Sequence, residues 1–495
     1  MKKTGEQGPA GKEKKVAEPL HCEIRNGELV HYYGEDAELV IPDHITAISV
    51  GAFRGCKKLT DVVIGKGVTV IRRDAFRDCV NLKRIALPAG LREIGDSAFR
   101  GCKSLVSLML PRNVKTVGAS AFRDCTSLKI AVLSNGLTQL GGYALAGCTS
   151  LEELTISNTL HTIAEGTFSQ CAALKTVEVP DGVIAIGSYA FGQCTSLEEV
   201  RLSDGISYLG QGAFLECRSL RAFYAPRHLK FFANYLFCGC EKLEDVVVSD
   251  SVTAIGTYAF CGCKSIKRIA IPQGVVSIGQ GSFLNCTSLV RIDLPNSLER
   301  ISRRAFAFCT ALEIVRFNFG VKVLEAECFA KCVLLKTVEL PHSVTVIEEK
   351  AFYRCIALET VLLSDSLRRI GDRAFEECAI VSMSLPQSVS ALGDHVFANC
   401  YWLNTFLLPN RRVSLGASIF VGCAGLEVLV VADRGMRHWR KRELLHIPYE
   451  TQLVYHSELQ LSLLLAELGS KEISAERKKS ICQEIRSQAK QFGRR

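Results

Sequence analysis

Cysteine recurs with a nearly constant spacing through most of this chain, and this period constrains the fold more than any other feature. The spacing is 23 residues at every step except one of 22, between Cys378 and Cys400. A phenylalanine stands three residues before each of these cysteines, with Leu145 as the exception. The recurring residues are Cys56, Cys79, Cys102, Cys125, Cys148, Cys171, Cys194, Cys217, Cys240, Cys263, Cys286, Cys309, Cys332, Cys355, Cys378, Cys400 and Cys423. So strict a period is typical of a solenoid, in which each repeat packs on the one before it.

One repeat, CKSIKRIAIPQGVVSIGQGSF, shows how the pattern predicts local structure. Ile269 and Ile271 alternate with polar or small residues, as expected of a short strand with one buried face. Pro272 follows and cannot donate a hydrogen bond to a neighbouring strand, so the strand should end there. Ten of the thirteen prolines occupy this position of the repeat.

The second half of the same repeat predicts another inward-facing segment and a turn. Val275 and Ile278 should point inward, and Gly279 should permit a tight turn. Ser282 and Phe283 should begin one short helical turn, with the Phe283 ring filling the core. The recurring cysteines fit this arrangement as small, apolar, buried residues that stack on one another.

Two further thiols raise the alternative of a metal site. Cys238 and Cys261 each precede a ladder cysteine by two residues, so four thiols lie close in the pattern. Cys240 and Cys263 belong to the buried series, which argues against zinc. Cys238 and Cys261 occupy a position of the repeat that accepts many residue types and should therefore be exposed. We therefore expect two free surface thiols in adjacent coils, with a disulfide as an open alternative.

The repeat pattern L-x-x-[LIV]-x-[LI]-P-x-x-[VL]-x-x-[IL]-G-x-x-A-F-x-x-C-x-S-L resembles the BspA-type leucine-rich repeat. Good copies are CTSLEEVRLSDGISYLGQGAF and CKSLVSLMLPRNVKTVGASAF, and EIRNGELVHYYGEDAELVIPDHITAIS resembles the opening unit of bacterial members. The resemblance implies an α/β leucine-rich repeat solenoid of about 17 coils, with short parallel strands on a concave face. It also implies non-enzymatic recognition, commonly at the surface of bacteria that live with animal hosts.

Three regions are predicted. Residues 1–20 form a disordered basic tail, and residues 21–432 form the solenoid, opened by a capping hairpin over residues 21–33 with Asn26-Gly27 as its turn. Residues 433–495 lack the Phe-x-x-Cys pattern and contain apolar residues at helical spacing, such as Leu461, Leu464, Leu465 and Leu468. They predict a small helical C-terminal cap or, alternatively, a basic interaction helix.

Composition and motifs narrow the functional classes. The net charge of +9 is concentrated in the two terminal regions, so a nearly neutral body does not favour nucleic-acid binding. No apolar run is long enough to span a membrane, and no signal peptide is recognisable, which predicts a cytoplasmic protein. The common catalytic and phosphate-binding motifs are absent, so neither an enzyme nor a cofactor or metal is predicted.

Partner-binding candidates lie on the predicted strands, beside the buried positions, where side chains should face the concave surface. These residues are Glu153, Glu178, Glu199, Arg201, Tyr224, Asp245, Arg268, Arg291, Asp293, Arg316 and Glu339. They are mostly acidic in the middle coils and turn basic later. Such a surface suits a charged partner, whereas the alternative is an ordinary solvated sheet face.

A second candidate surface is an arginine ridge, formed by Arg54, Arg77, Arg100 and Arg123 with Lys57 and Lys103 nearby. These arginines share one position of the repeat in four successive coils. The ridge suits an acidic protein, an anionic glycan or an anionic lipid surface, or it serves only solubility.

The sequence thus predicts a monomeric, non-enzymatic scaffold that binds a protein or an anionic glycan. Two alternatives stay open. One is a surface adhesin, exported by a route that the sequence does not show, which binds a host or cell-surface protein. The other is a spacer that presents its C-terminal helices.

Overall fold

The chain winds into a parallel β-solenoid of about 18 turns. The structure is a computed structural model, and it describes residues 21–408, 412–431 and 442–455, together with the single residues 480, 481 and 483. Most coils contribute one strand to a first row, one shorter strand to a second row, and a turn segment that closes the coil. Neighbouring coils are in register, since Thr176 of one pairs with Glu199 of the next.

With strands numbered in chain order, the first row comprises β3 (Glu38–Val40), β5 (Asp61–Val63), β7 (Arg84–Ala86), β9 (Ser107–Met109), β11 (Ile130–Val132), β13 (Glu153–Thr155), β15 (Thr176–Glu178), β17 (Glu199–Arg201), β19 (Ala222–Tyr224), β21 (Asp245–Val247), β24 (Arg291–Asp293), β26 (Ile314–Arg316), β28 (Thr337–Glu339), β30 (Thr360–Leu362), β32 (Ser382–Ser384), β34 (Thr405–Leu408), β36 (Val428–Val431) and β37 (Gln452–Tyr455). The second row comprises β4 (Ala47–Ile48), β6 (Val70–Ile71), β8 (Glu93–Ile94), β10 (Thr116–Val117), β12 (Gln139–Leu140), β14 (Thr162–Ile163), β16 (Ala185–Ile186), β18 (Tyr208–Leu209), β20 (Phe231–Phe232), β22 (Ala254–Ile255), β23 (Ser277–Ile278), β25 (Arg300–Ile301), β27 (Val323–Leu324), β29 (Val346–Ile347), β31 (Arg369–Ile370), β33 (Ala391–Leu392) and β35 (Ser414–Leu415).

An antiparallel hairpin begins the solenoid. It consists of β1 (Cys22–Arg25) and β2 (Glu28–Tyr32), joined at Asn26 and Gly27, which both have left-handed φ angles. Strand β2 pairs in parallel with β4, so the hairpin extends the second row of strands.

The core contains the positions that the repeat predicts. Ile269, Ile271, Val275 and Ile278 are all buried, and the Phe283 ring is fully enclosed. The phenylalanine rings of successive coils stack, with centroids 5.2 Å apart on either side of Phe283. This part of the prediction is confirmed.

The predicted helical turn after Ser282 is wrong. In its place lies a turn segment of five residues centred on the phenylalanine, Gly281–Asn285 in this coil. Its first and fifth residues have φ angles of 56° and 60°, which no α-helix contains. The Leu284 amide closes a single turn by donating to the Gly281 carbonyl at 3.0 Å, whereas the Phe283 amide donates to the Ala305 carbonyl of the next coil at 2.8 Å. Local single turns thus alternate with bonds between coils, and no helix forms.

Gly279 has a different role from the predicted one. Its φ is not left-handed, but a Cβ atom there would lie 2.6 Å from the backbone nitrogen of Thr257. Glycine is therefore needed because the backbones of two coils approach closely.

The C-terminal prediction also needs correction. The solenoid extends beyond residue 432, since β37 pairs in parallel with β36. The one helix bounded in the described part of this region is α1 (Arg442–Leu445), so the predicted helical cap is not confirmed. The predicted helices over residues 461–468 and 474–489 lie outside the described residues, apart from Ser480, Ile481 and Gln483, which are helical. The N-terminal tail, residues 1–20, also lies outside them.

Candidate functional site

The first-row strands present most of the predicted partner-binding residues to solvent. Side chains alternate along each three-residue strand, so the middle one enters the core and the outer two face outward. Ten of the eleven candidates are exposed, and Arg291 is half-buried. They therefore share one surface, which we call the first-row face.

Ion pairs partly cancel the predicted gradient of charge along this face. Arg201 contacts Glu199 at 2.8 Å, and Arg291 contacts Asp293 at 2.9 Å, both within single strands. Arg316 approaches Asp293 at 3.8 Å from the next coil. The long-range charge pattern of the face is therefore weaker than the sequence suggests.

A shallow depression interrupts the first row between β21 and β24. The intervening coil forms no strand there, only a single bridge between Arg268 and Arg291. The depression measures about 380 Å³ and combines Arg268, Arg291 and Asp293 with the apolar side chains of Val290 and Ile314. Arg268 is exposed and has no ion-pair partner among the described residues. Three predicted candidates thus meet at one site with a net positive charge.

The arginine ridge occupies one position in four successive coils, as predicted, but it is not a uniform basic surface. Arg54 is exposed, whereas the Arg77 side chain retains 27% exposure. Arg77 contacts Asp74 at 3.2 Å and Asp78 at 3.5 Å. Asp74 is itself buried, so this ion pair belongs to the packing of the turn.

The later part of the ridge is neutralised in a similar way. Arg100 and Arg123 each lie 3.7 Å from the Asp124 carboxylate. Lys57 and Lys103 are exposed. Among these six residues, positive charge without a carboxylate partner in the described chain is confined to Arg54, Lys57 and Lys103, which weakens the case for an anionic ligand.

The recurring cysteines form a thiol ladder with a hydrogen-bonding role that the sequence did not reveal. From Cys79 to Cys423, each Sγ donates to the carbonyl oxygen of the residue 25 or 26 positions earlier, a phenylalanine in every case except Leu145, over 3.0–3.4 Å. Burial raises the pKa of these thiols, to about 12 for Cys194. They are therefore inert, protonated groups of the core.

Cys238 and Cys261 lie outside this ladder and are partly buried. A hydrogen bond between the two thiols raises the pKa of Cys238 and lowers that of Cys261. Cys240 and Cys263 point instead into the core, where they bond to phenylalanine carbonyls. The four sulfurs do not converge, and no group of three metal-binding side chains occurs within the described ranges.

One set of residues escaped the sequence analysis. Tyr143, Tyr189, Tyr235 and Tyr258 all occupy the first position of the turn segment, two residues before the core phenylalanine or leucine. Their shared position in the repeat could have identified them from the sequence. That position suggests a binding role only when the structure shows that it lies at the surface.

Comparison with known families agrees with this architecture. The family model for the BspA type leucine rich repeat region, with 6 copies, matches residues 31–151, 115–244, 230–340 and 322–435. The chain belongs to this family. BspA-type repeats are generally non-enzymatic scaffolds for protein interaction.

Solved structures of bacterial leucine-rich repeat proteins are similar to the chain. One from Bacteroides ovatus is 24% identical, and the match covers 89% of this chain and 99% of that one with a TM-score of 0.46. A leucine rich cell surface protein from Faecalibacterium prausnitzii is also 24% identical, over 68% and 89% of the chains, with a TM-score of 0.44. A leucine rich repeat protein of T. pallidum is 30% identical, over 39% and 82%, with a TM-score of 0.31.

A search of curated proteins returns no match. Within the part of the chain that the structure describes, no helix is long and apolar enough to cross a membrane.

Proposed function

We propose that this BspA-type protein binds a protein partner through its first-row face, with the depression around Arg268 as the centre of contact. The observation that carries this proposal is the convergence of Arg268, Arg291 and Ile314 at the interruption of the strand row. Arg316, on the same strand as Ile314, adds a further positive charge near Asp293.

The chemistry of the depression defines the partner segment. Arginine offers several donors in a planar group that suits a carboxylate. Ile314 is 42% exposed and supplies apolar surface beside these charges. A partner segment with an acidic side chain next to an apolar one complements both features. Tyr224, 64% exposed two coils earlier, provides a further aromatic contact.

The test places a photo-crosslinking amino acid at position 268 of the full-length protein in its native organism. The control places it at Lys230, an exposed residue that immediately precedes second-row strand β20 and lies outside the first-row face. We expect a discrete adduct from position 268 only, and its loss in an Arg291→Glu background. Identical adducts from both positions, or none from position 268, would contradict the proposal.

The location of the protein decides where the partner is sought. We propose a cytosolic partner, and protease treatment of intact cells tests this. Protection of the protein agrees with it, whereas digestion from outside would make the chain a surface adhesin with a host protein as its partner.

A further inference from the structure

Four tyrosines occupy a backbone position that large side chains rarely adopt. Tyr143, Tyr189, Tyr235 and Tyr258 have φ angles of 58°, 55°, 58° and 53°. A bulky residue with a left-handed backbone is uncommon because its Cβ crowds the following carbonyl. Glycine fills the same position in some other coils, and Ser97, Arg304 and Lys350 also adopt this φ, so the left-handed turn is a property of the repeat. The tyrosines, which we call the tyrosine ladder, differ from these residues in how their rings pack and in their spacing along the chain.

The rings of the ladder are held against the solenoid. A Cβ atom at Gly212 would lie 2.7 Å from the Tyr189 ring, so that ring covers the glycine of the next coil. Gly166 and Gly281 lie in the same way beneath Tyr143 and Tyr258. Tyr235 is followed by a tyrosine and stacks on Tyr258 instead, with the ring centroids 5.3 Å apart. All four rings are half-buried, so little side-chain entropy remains to be lost on binding.

The hydroxyl groups of Tyr189 and Tyr258 can still donate a hydrogen bond to a ligand. The Tyr189 hydroxyl accepts a hydrogen bond from Gln211 Nε2 at 2.7 Å, and the Tyr258 hydroxyl accepts one from Gln280 Nε2 at 3.1 Å. Neither O–H finds an acceptor within the described chain, and an accepted bond polarises the hydroxyl further toward donation. The Tyr143 hydroxyl, by contrast, donates to the Glu165 carboxylate at 2.5 Å. Tyr189 and Tyr258 therefore offer donors to a ligand that supplies acceptors.

The turn segments around Tyr189, Tyr235 and Tyr258 carry few charges. Their fourth position is uncharged from Ser169 onward, where it is filled by Ser169, Gly192, Leu215, Cys238, Cys261 and Leu284. Gln170 and Gln193, at the fifth position, bond to each other at 2.9 Å. The arginine ridge precedes this stretch, and Arg304 paired with Glu327 follows it. Within the stretch, Glu165 accepts a hydrogen bond from Tyr143, and Glu216 at the fifth position pairs with Arg218 at 3.4 Å. Because both carboxylates already have partners, a ligand with little charge of its own suits this stretch.

The spacing of the rings identifies the class of ligand. Tyr143, Tyr189 and Tyr235 follow one another at intervals of two coils. Strands repeat at about 4.8 Å, so two coils advance by roughly 10 Å. A polyproline II helix advances by about 9.3 Å per turn of three residues. Such a helix has no internal hydrogen bonds, and proline supplies carbonyl acceptors without amide donors.

We propose that the tyrosine ladder binds a proline-rich segment of a partner protein in the polyproline II conformation. The rings of Tyr143, Tyr189 and Tyr235 each pack against one turn of the ligand, and Tyr258 extends the last of these contacts by one coil. The hydroxyls of Tyr189 and Tyr258 donate to carbonyl oxygens of the ligand. Aromatic surfaces recognise proline-rich segments in this way because the ligand is already ordered. The site lies on the turn segments, apart from the first-row face, and does not depend on binding there.

The test measures binding of fluorescent decaproline to the full-length protein by anisotropy. We expect saturable binding that weakens about tenfold or more in Tyr189→Ala and in Tyr258→Ala. Tyr189→Phe keeps the ring and should weaken binding less than Tyr189→Ala does. Tyr208→Ala removes a tyrosine that is 44% exposed on the second row and serves as the matched control. Thermal melting of each variant verifies that the solenoid stays folded.

Each outcome decides the proposal. Saturable binding that depends on Tyr189 and Tyr258 but not on Tyr208 supports it. No binding of decaproline, or equal weakening by Tyr208→Ala, overturns it. Cellohexaose serves as a second probe, because sugar rings also stack on tyrosine. If that glycan binds with the same tyrosine dependence and decaproline does not, the ladder is a glycan site and the proposal is wrong.

Discussion

The interior and the turn surface of this solenoid obey the same period but differ in what the period constrains. Inside, nearly every coil repeats the same phenylalanine and cysteine. One or two residues away, the turn positions change in blocks along the chain, from arginine and aspartate to tyrosine and glycine, and then to arginine and glutamate. Two positions on the same short turn thus differ in how much residue variation they tolerate.

The difference arises from what each side chain contacts. A core phenylalanine contacts the equivalent rings of both neighbouring coils, so a change in one coil disturbs three. A side chain at the first turn position contacts one neighbour and solvent. The interior therefore keeps the same residue types in nearly every coil. The turn surface can change its residue types every few coils and so form local binding surfaces.

Alkaline pH should lower the stability of the folded interior more than any single substitution does. The raised pKa values of the ladder thiols mean that the folded state keeps protons that the unfolded state loses above about pH 9. Stability is thus fully present below that pH and falls as pH rises toward about 12, by about 1.4 kcal/mol per pH unit for each such thiol. Thiolate absorbance and circular dichroism, followed together, should change in one cooperative step. A gradual rise in thiolate near pH 9 with unchanged dichroism would contradict the burial of the ladder.

Removing one core ring should be the largest effect of a single substitution. Phe283→Ala leaves a cavity between two stacked rings and should lower the free energy of unfolding by roughly 3–5 kcal/mol. Urea denaturation measures the loss. Phe231→Ala is the control, since that ring is 38% exposed on the second row and should cost much less. Equal losses in the two variants would contradict the special role of the turn phenylalanine.

Close contact between coils should make Gly279 less replaceable than a turn glycine. Gly279→Ala places a Cβ against backbone atoms of the previous coil and should cost about 3 kcal/mol. Gly55→Ala meets no atom within 4 Å and has only its left-handed φ of 73° to oppose it, at about 1 kcal/mol. Urea denaturation compares the two variants. A larger loss for Gly55→Ala would contradict close approach between coils as the reason for glycine at position 279.

The smallest effects should lie on the arginine ridge, and they should differ within it. Arg77→Ala deprives the buried Asp74 carboxylate of one partner and should cost about 1 kcal/mol, since Arg73 also approaches it at 3.4 Å. Arg54→Ala removes an exposed side chain and should change stability by less than about 0.5 kcal/mol. Thermal melting distinguishes these results. Equal changes would mean that the ridge is a solvated stripe throughout.

The period predicted the interior well because burial depends on phase alone. Phe283, Val275 and Ile278 occupy the core positions that their spacing indicates. The turn segment was harder, since Ser282-Phe283 is compatible with a helical start. What excludes a helix is the hydrogen bond from Phe283 to Ala305 in the next coil, a contact that no local pattern contains.

Residues outside the 23-residue period could not be assigned to the solenoid from the sequence, again because contacts between coils decide their structure. Strand β37 has no Phe-x-x-Cys after it, and it joins the solenoid only because its backbone pairs with β36. Of the partner-binding candidates, the exposure of the strand residues could be predicted from alternation. The depression at Arg268 could not, because it results from a strand that fails to form.

The pairing of each coil with the next has a consequence for how the chain reaches this structure. Hydrogen bonds between coils join residues about 23 positions apart, as between Gln170 and Gln193. In a chain of 495 residues this gives a relative contact order of roughly 0.05, which means that the pairing is local in sequence. A coil finds its partner within the segment just synthesised, so folding can follow translation one coil at a time. The hairpin at residues 22–32 would then be the first template for all that follow.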